Sequence, residues 1–283
     1  MARWFTKTIA ALGAGAGGWA LLLRPRTQSP EELERLREYD YAHRGYHDED
    51  QGIPENSMAS FERAVHSGFG IELDVHLTKD GHLVVMHDEN LKRMCGVDLK
   101  IGELTWEEIR QYTLLETQEK IPDLNQVLKL VAGQVPLIIE IKPAGSSRVR
   151  LCRETCRALE DYKGLYCLES FDPRVVAWIR HNYPELVRGQ LLSYLRRNGN
   201  REYGVLLDFI LHNLLTNCWT RPDFIAYHIE ERKNISLRLC RRLYHVQQVD
   251  WTVRTPEEYR MVKKDGSIAI FEHFDPREYK EKI

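Results

Sequence analysis

The stretch Ile71-Glu72-Leu73-Asp74-Val75-His76 decides how the chain is read. Successive side chains of a strand point to opposite faces, which puts Ile71, Leu73 and Val75 on one side and Glu72, Asp74 and His76 on the other. An ordinary half-exposed strand shows the same alternation. A second segment, Leu137-Ile138-Ile139-Glu140-Ile141-Lys142, argues for burial on both faces, because it is nearly continuously apolar and again carries charges two residues apart. Charges in such a place need partners, since an unpaired buried ion is costly or changes its protonation state. Three carboxylates converging on a divalent cation would supply them.

Outward from these two segments, strand and helix patterns alternate along the chain. Candidate strands cover 39–43, 69–75, 83–87, 136–141, 165–169, 187–191, 224–227, 246–253 and 267–272. Helical patterns cover 57–67, 124–132, 147–161, 173–182, 236–244 and 256–263, preceded by a polar run at 30–38 with Ser29 as its cap and Pro30 at its first position. Such alternation implies a parallel α/β architecture, either a closed (β/α)8 TIM barrel or a doubly wound sheet. No G-x-G-x-x-G follows the first strand, which favours the barrel. In a barrel the chemistry sits where strands end. The ends here read His43-Arg44-Gly45, Glu72-x-Asp74, His87-Asp88, Glu140-x-Lys142 and Glu169-Ser170-Phe171-Asp172. Reactive side chains at successive strand ends point to one shared site.

The 283 residues suffice for one large domain, here residues 31–283, and the net charge of -2 argues against a nucleic-acid partner. Six cysteines form no C-x-x-C pair, so a zinc site is not indicated, and Cys152 and Cys156 read as helix packing. The first thirty residues differ. Residues 8–23 carry no charge and are flanked by Arg3 and Lys7 before and Arg24 and Arg26 after. At 16 residues the stretch falls just short of the roughly 17–25 of a spanning helix. The reading is membrane association through this segment, with the following domain on the cytoplasmic side. A signal peptide and a merely apolar terminus of a soluble or exported protein are the alternatives.

His43-Arg44-Gly45, Pro54-Glu55-Asn56-Ser57, Glu72-x-Asp74, His87-Asp88 and Glu140-x-Lys142, in this order, carry a family resemblance. Over residues 39–275 the chain resembles the glycerophosphodiester phosphodiesterases of the bacterial type. The resemblance implies a barrel with a small insertion between the second and third main strands, within residues 76–135. It also implies metal-dependent hydrolysis of glycerophosphodiesters to glycerol 3-phosphate and an alcohol, with His43 and His87 as the acid–base pair. Two further readings stand beside it: a lysophospholipase D or similar phosphodiesterase acting on membrane lipids, and a barrel that binds phosphodiesters without turning them over.

Physical chemistry is consistent with these roles. Glu72, Asp74 and Glu140 are hard oxygen ligands suited to Mg²⁺ or Ca²⁺. Arg44 and Lys142 would hold the phosphate, arginine through its planar fork and lysine as a point charge. Glu55 reads either as a further ligand or outer carboxylate, or as an acid at the start of the helix that follows. His76 shares a face with Glu72 and Asp74 and is a candidate on that ground alone, while Trp251 could wall the pocket or belong to the core. His47, His66 and His82 are expected at the surface or as caps. Two departures from the family pattern concern the rim: the tetrad at Trp251 ends in Arg254 instead of asparagine, and the last strand closes on Phe271-Glu272 instead of threonine-aspartate. Both put the alcohol specificity in doubt and are expected to leave the metal and histidines untouched.

Overall fold

The computed structural model describes residue 15 and residues 17–28, 30–193 and 204–282. Nine strands are present among the described residues: β1 Tyr41–Ala42, β2 Gly70–Leu77, β3 Leu83–Val85, β4 Leu137–Ile141, β5 Tyr166–Ser170, β6 Arg188–Leu192, β7 Phe224–His228, β8 Gln247–Val253 and β9 Ile268–Phe271. Eight of them close a parallel ring in the order β1-β2-β4-β5-β6-β7-β8-β9, with β9 returning to β1. This is the (β/α)8 barrel read from the sequence. The ninth strand, β3, lies outside the ring and pairs antiparallel with β2.

Strand parity sets the two layers of the core. Ile71, Leu73, Val75, Leu137, Ile139 and Ile141 pack outward against helices, while Ile138 packs inside the barrel with Phe224, Val249 and Ile270. Glu72, Asp74 and Glu140 therefore point inward. The helices flanking the ring are α1 Glu31–Leu36, α2 Met58–Ser67, α3 Leu124–Val131, α4 Arg148–Leu159, α5 Pro173–Asn182, α6 Val205–His212, α7 Ile235–Tyr244 and α8 Pro256–Lys264. Their starts follow local chemistry. Ser57 and Thr255 close capping boxes at α2 and α8, and Asp172 caps α5 with Pro173 in its first turn. At α1 proline stands one place earlier than expected, as the cap itself, and Ser29 lies outside the described residues.

Residues between β2 and β4 form the expected insertion. It carries one-turn helices at Lys92–Cys95 and Trp106–Ile109 and has an apolar cluster of its own, built from Val84, Met86, Leu91, Met94, Ile101 and Ile109. Helix α6 had no counterpart in the sequence reading. Six of its eight residues, Val-Leu-Leu-Asp-Phe-Ile-Leu-His, are apolar, and only Asp208 and His212 mark a polar side, so the helical period is faint.

The membrane reading of residues 8–23 is corrected. No helix among the described residues is long and apolar enough to cross a membrane. Residues 8–14 and 16 lie outside the described residues. The end of the segment is docked on the barrel: Leu23 is buried with Leu211, Tyr227 and Leu237, the Tyr244 hydroxyl donates to the Ala20 carbonyl at 2.7 Å, and the Trp19 indole donates to Ser236 at 3.3 Å. The physical reason is length and partners together. Sixteen residues are short for a span, and of the described ones only Leu23 is buried, against α7 and β7, while Leu21 and Leu22 stay 64% and 39% exposed.

Candidate active site

The inward carboxylates of β2 and β4 meet because the two strands pair in register, with Asp74 opposite Glu140. One ligand oxygen from each of Glu72, Asp74 and Glu140 lies within 4.8 Å of the others. All three are buried. Burial, with Asp74, Glu140 and Glu169 close by, pushes the Glu72 carboxyl well above the usual range. Glu140 is pushed up to about 7, by burial first and by Asp74 beside it, against the pull of Lys142. Burial raises Asp74 as well, but Lys142, His87, Arg44 and the Asn56 amide bring it well below the ordinary value. The Asn56 amide donates to Asp74 at 2.9 Å. Mutually repelling acids in one dry place are a donor set for a hard divalent cation.

The two histidines share a design. His43 leaves β1 with its Nδ1 2.7 Å from Glu272 and its Nε2 4.0 Å from Glu72. Burial pulls His43 down to about 4, although the Glu272 carboxylate works the other way. His87 follows β3, and its Nδ1 lies 2.7 Å from Asp88. In each case an ionised carboxylate, which only accepts, fixes the proton on Nδ1 and leaves Nε2 for another partner. His43, His87, Arg44, Glu72, Glu140 and Glu169 line one cavity of about 250 Å³, with Phe171 and Trp251 among its walls.

Cations tie these groups together. Lys142 Nζ lies 3.1 Å from Asp74 and 3.0 Å from Glu140. The Arg44 backbone N–H donates to Glu72 at 3.0 Å, and its guanidinium donates to Glu55 at 3.0 Å. Arg93 donates to Glu55 at 2.6 Å and to Asp88 at 2.6 Å. A chain of charges thus runs from Arg44 through Glu55, Arg93 and Asp88 to His87. The turn that starts it needs Gly45, whose φ is +80° and where an added Cβ would stand 2.3 Å from the Ser60 hydroxyl.

Several readings change with the geometry. Glu55 is not part of the acid trio; it bridges Arg44 and Arg93, which favours the outer-carboxylate reading. His76 supports the site from behind, its Nε2 3.1 Å from the His87 carbonyl. Trp251 walls the cavity and packs edge-on to Phe171 and His228. His47 is buried, against expectation, with Nε2 3.8 Å from Glu272. The two rim departures are one interaction, Arg254 lying 2.6 Å from Glu272, and Glu272 in turn touches His43, so they do reach a histidine. Glu169 stood in the strand-end series without a role. It is 1% exposed, lines the cavity, and its Oε2 has no hydrogen-bond partner among the described residues. Burial, then Glu140 and Asp74, push its carboxyl well above the usual range.

Known proteins share this fold. A solved phosphodiesterase from Oleispira antarctica, in complex with the product sn-glycerol-3-phosphate, superposes with a TM-score of 0.68 over 86% of this chain and 95% of its own, at 20% identity. A glycerophosphodiester phosphodiesterase from Thermotoga maritima gives 0.62 at 26% identity, over 82% of this chain and 94% of its own. A glycerophosphodiester phosphodiesterase of Caldanaerobacter subterraneus is 36% identical over 143 residues, 48% of this chain and 55% of that protein. A human lysophospholipase D is 41% identical over 93 residues, 32% of this chain and 29% of that protein. The chain spans about half the length of the first two curated relatives it matches. The match to the glycerophosphoryl diester phosphodiesterase family itself is longer, running from His43 at the first histidine to Phe274 beyond the last strand, and it contains every residue of the site above. The chain belongs to the glycerophosphoryl diester phosphodiesterase family.

Proposed function

We propose that the chain hydrolyses glycerophosphodiesters to glycerol 3-phosphate and an alcohol, with His43 and His87 as its acid–base pair. The observation that carries this reading is that both imidazoles open onto one cavity that Glu72 and Glu140 of the acid trio also border. Glu72, Asp74 and Glu140 would hold Mg²⁺ or Ca²⁺. Such an ion, when bound, supplies Lewis-acid stabilisation of the phosphate oxygens.

The protein groups supply the rest. Arg44 lines the cavity and offers the guanidinium N–H groups not used by Glu55. Lysine has three N–H donors, and Lys142 uses two directions on Asp74 and Glu140, which leaves one for a phosphate oxygen. His43 is neutral near pH 7 and gives its Nδ1 proton to Glu272, so its Nε2 lone pair takes the proton of the attacking hydroxyl. His87, with Asp88 ready to balance an imidazolium, gives a proton to the departing alkoxide. Release of glycerol 3-phosphate from glycerophosphocholine tests the proposal. His43→Ala and His87→Ala are each expected to lower the rate by roughly 10²–10⁴, the scale of acid–base catalysis. A loss of tenfold or less in both would remove the assignment, and unchanged turnover in excess EDTA would remove the metal.

A further inference from the structure

Glu169 stands one strand further round the barrel than the acid trio, paired in register with Glu140 across β4 and β5. It is 1% exposed, lines the same cavity as the two histidines, and has an Oε2 without a hydrogen-bond partner among the described residues. A buried carboxyl oxygen left in this way is costly unless a ligand completes it. Charge divides the cavity that it faces. His43, Arg44 and His87 line the side of β1 and β2, and Lys142 stands at the end of β4, held by Asp74 and Glu140. On the other side Leu191, Ser193, Trp251 and Ile270 carry no charge. A phosphate group belongs among the cations, since an acid with no cation of its own repels it.

We propose that Glu169 receives the terminal hydroxyl of the substrate's glycerol, the one farther from phosphorus, and so determines that the diester must carry it. The proposal rests on the phosphodiesterase reading above and names a specificity-determining residue for that reaction. A hydroxyl both donates and accepts, so it answers the carboxyl whether Glu169 is ionised or protonated. The indole N–H of Trp251, a wall of the same cavity, also lacks a partner, and a hydroxyl suits an unanswered donor and an unanswered acceptor alike. A quaternary ammonium head group has no N–H to give to Oε2. Position separates the two hydroxyls of the glycerol. The one beside the phosphate stays with it, on the side of His43, whereas Glu169 lies a strand beyond Glu140 and meets the one at the far end.

The test compares choline release, with Mg²⁺ or Ca²⁺ present, from glycerophosphocholine and from its analogue built on propane-1,2-diol. The analogue keeps the hydroxyl beside the phosphate and lacks only the terminal one. The parent chain is expected to favour glycerophosphocholine in kcat/KM by roughly 10–100-fold, the scale of a hydrogen bond to a buried carboxyl. Glu169→Leu and Glu169→Ala are expected to shrink that ratio to about threefold or less, the loss falling on glycerophosphocholine. Calorimetric binding of glycerol 3-phosphate and of propane-1,2-diol 1-phosphate to the parent chain is expected to show the same preference without turnover. Equal kcat/KM for the two diesters in the parent chain would overturn this inference alone, whether or not either variant folds. Equal losses on both diesters in a folded variant would overturn it too, placing Glu169 with the metal or the head group. Hydrolysis of neither diester by the parent chain would overturn the phosphodiesterase reading and this one with it.

Discussion

Glu272 illustrates how one carboxylate can set the tautomer of an imidazole that is proposed to react. It accepts the Nδ1 proton of His43 and is held from the other side by Arg254, with His47 and His273 within ion-pair distance. Its pKa is held low: burial works to raise it, but the contacts with His43 and His47, together with the Arg254 charge, outweigh burial. Glu272→Gln is expected to lower kcat for glycerophosphocholine by roughly 10–100-fold with KM within about threefold, because the amide can present its N–H to Nδ1 and unsettle the tautomer. Steady-state kinetics check it, and a change confined to KM would place Glu272 in binding instead. This role was beyond the sequence because 229 residues separate the partners, and only closure of β9 onto β1 brings them together. His43, Glu72, Asp74 and Glu140 were legible because each stands at a strand end or repeats a strand's two-residue period.

Elements differ in how plainly they announce themselves. β2 and β4 alternate or run apolar over the length of a strand, and α8 opens on a capping box with proline in its first turn, so pattern and structure coincide. Helix α6 carries only Asp208 and His212 against six apolar residues, and so narrow a polar side is hard to read as a helical period. The strand pair β2 and β3 also carries a titratable device. His76 of β2 is pulled down to about 4, by burial first, and holds the His87 carbonyl. A histidine whose folded pKa lies below its unfolded one takes up a proton on unfolding. Its contribution is thus complete above about pH 6.5 and is lost as pH falls toward 4, by at most about 1.4 kcal/mol per pH unit. Denaturant titrations at pH 4.5–7 are therefore expected to show a shallower pH slope in His76→Asn than in the parent chain. An equal slope would mean that His76 binds its proton equally well in the folded and unfolded chain.

At the level of the whole molecule, the barrel gathers Glu72, Asp74 and Glu140 in its interior, and under the proposed function that cluster answers to metal as well as to protons. Glu140 is pushed up to about 7 and Glu72 well above the ordinary range, burial being the first cause of both. Acids with raised folded pKa values stabilise the fold at low pH and strain it as pH rises through those values. A divalent cation must displace their protons, so its effect grows in the same direction. Thermal unfolding with Mg²⁺ or Ca²⁺ at a hundred times the dissociation constant is expected to rise by roughly 5–10 °C at pH 8, for about 2.7 kcal/mol of linkage. The rise at pH 5 is expected to be less than half as large. Equal shifts at both pH values would mean that the ion binds elsewhere. The chain's first segment shows the limit of composition as a guide: an uncharged apolar run announces burial but does not say against what, and here Leu23 found the barrel.

The insertion gives the proposed acid–base pair an uneven footing. His43 is carried by the closed ring, whereas His87 follows a strand outside it, on a lobe with its own small hydrophobic centre around Met86, Leu91 and Ile101. Small independent clusters open at lower free energy than the main body of a domain. The charge relay from Arg44 to Asp88 is then a tether across a seam, and heat or denaturant would part the two imidazoles while the ring still stood. Loss of turnover would come before loss of structure.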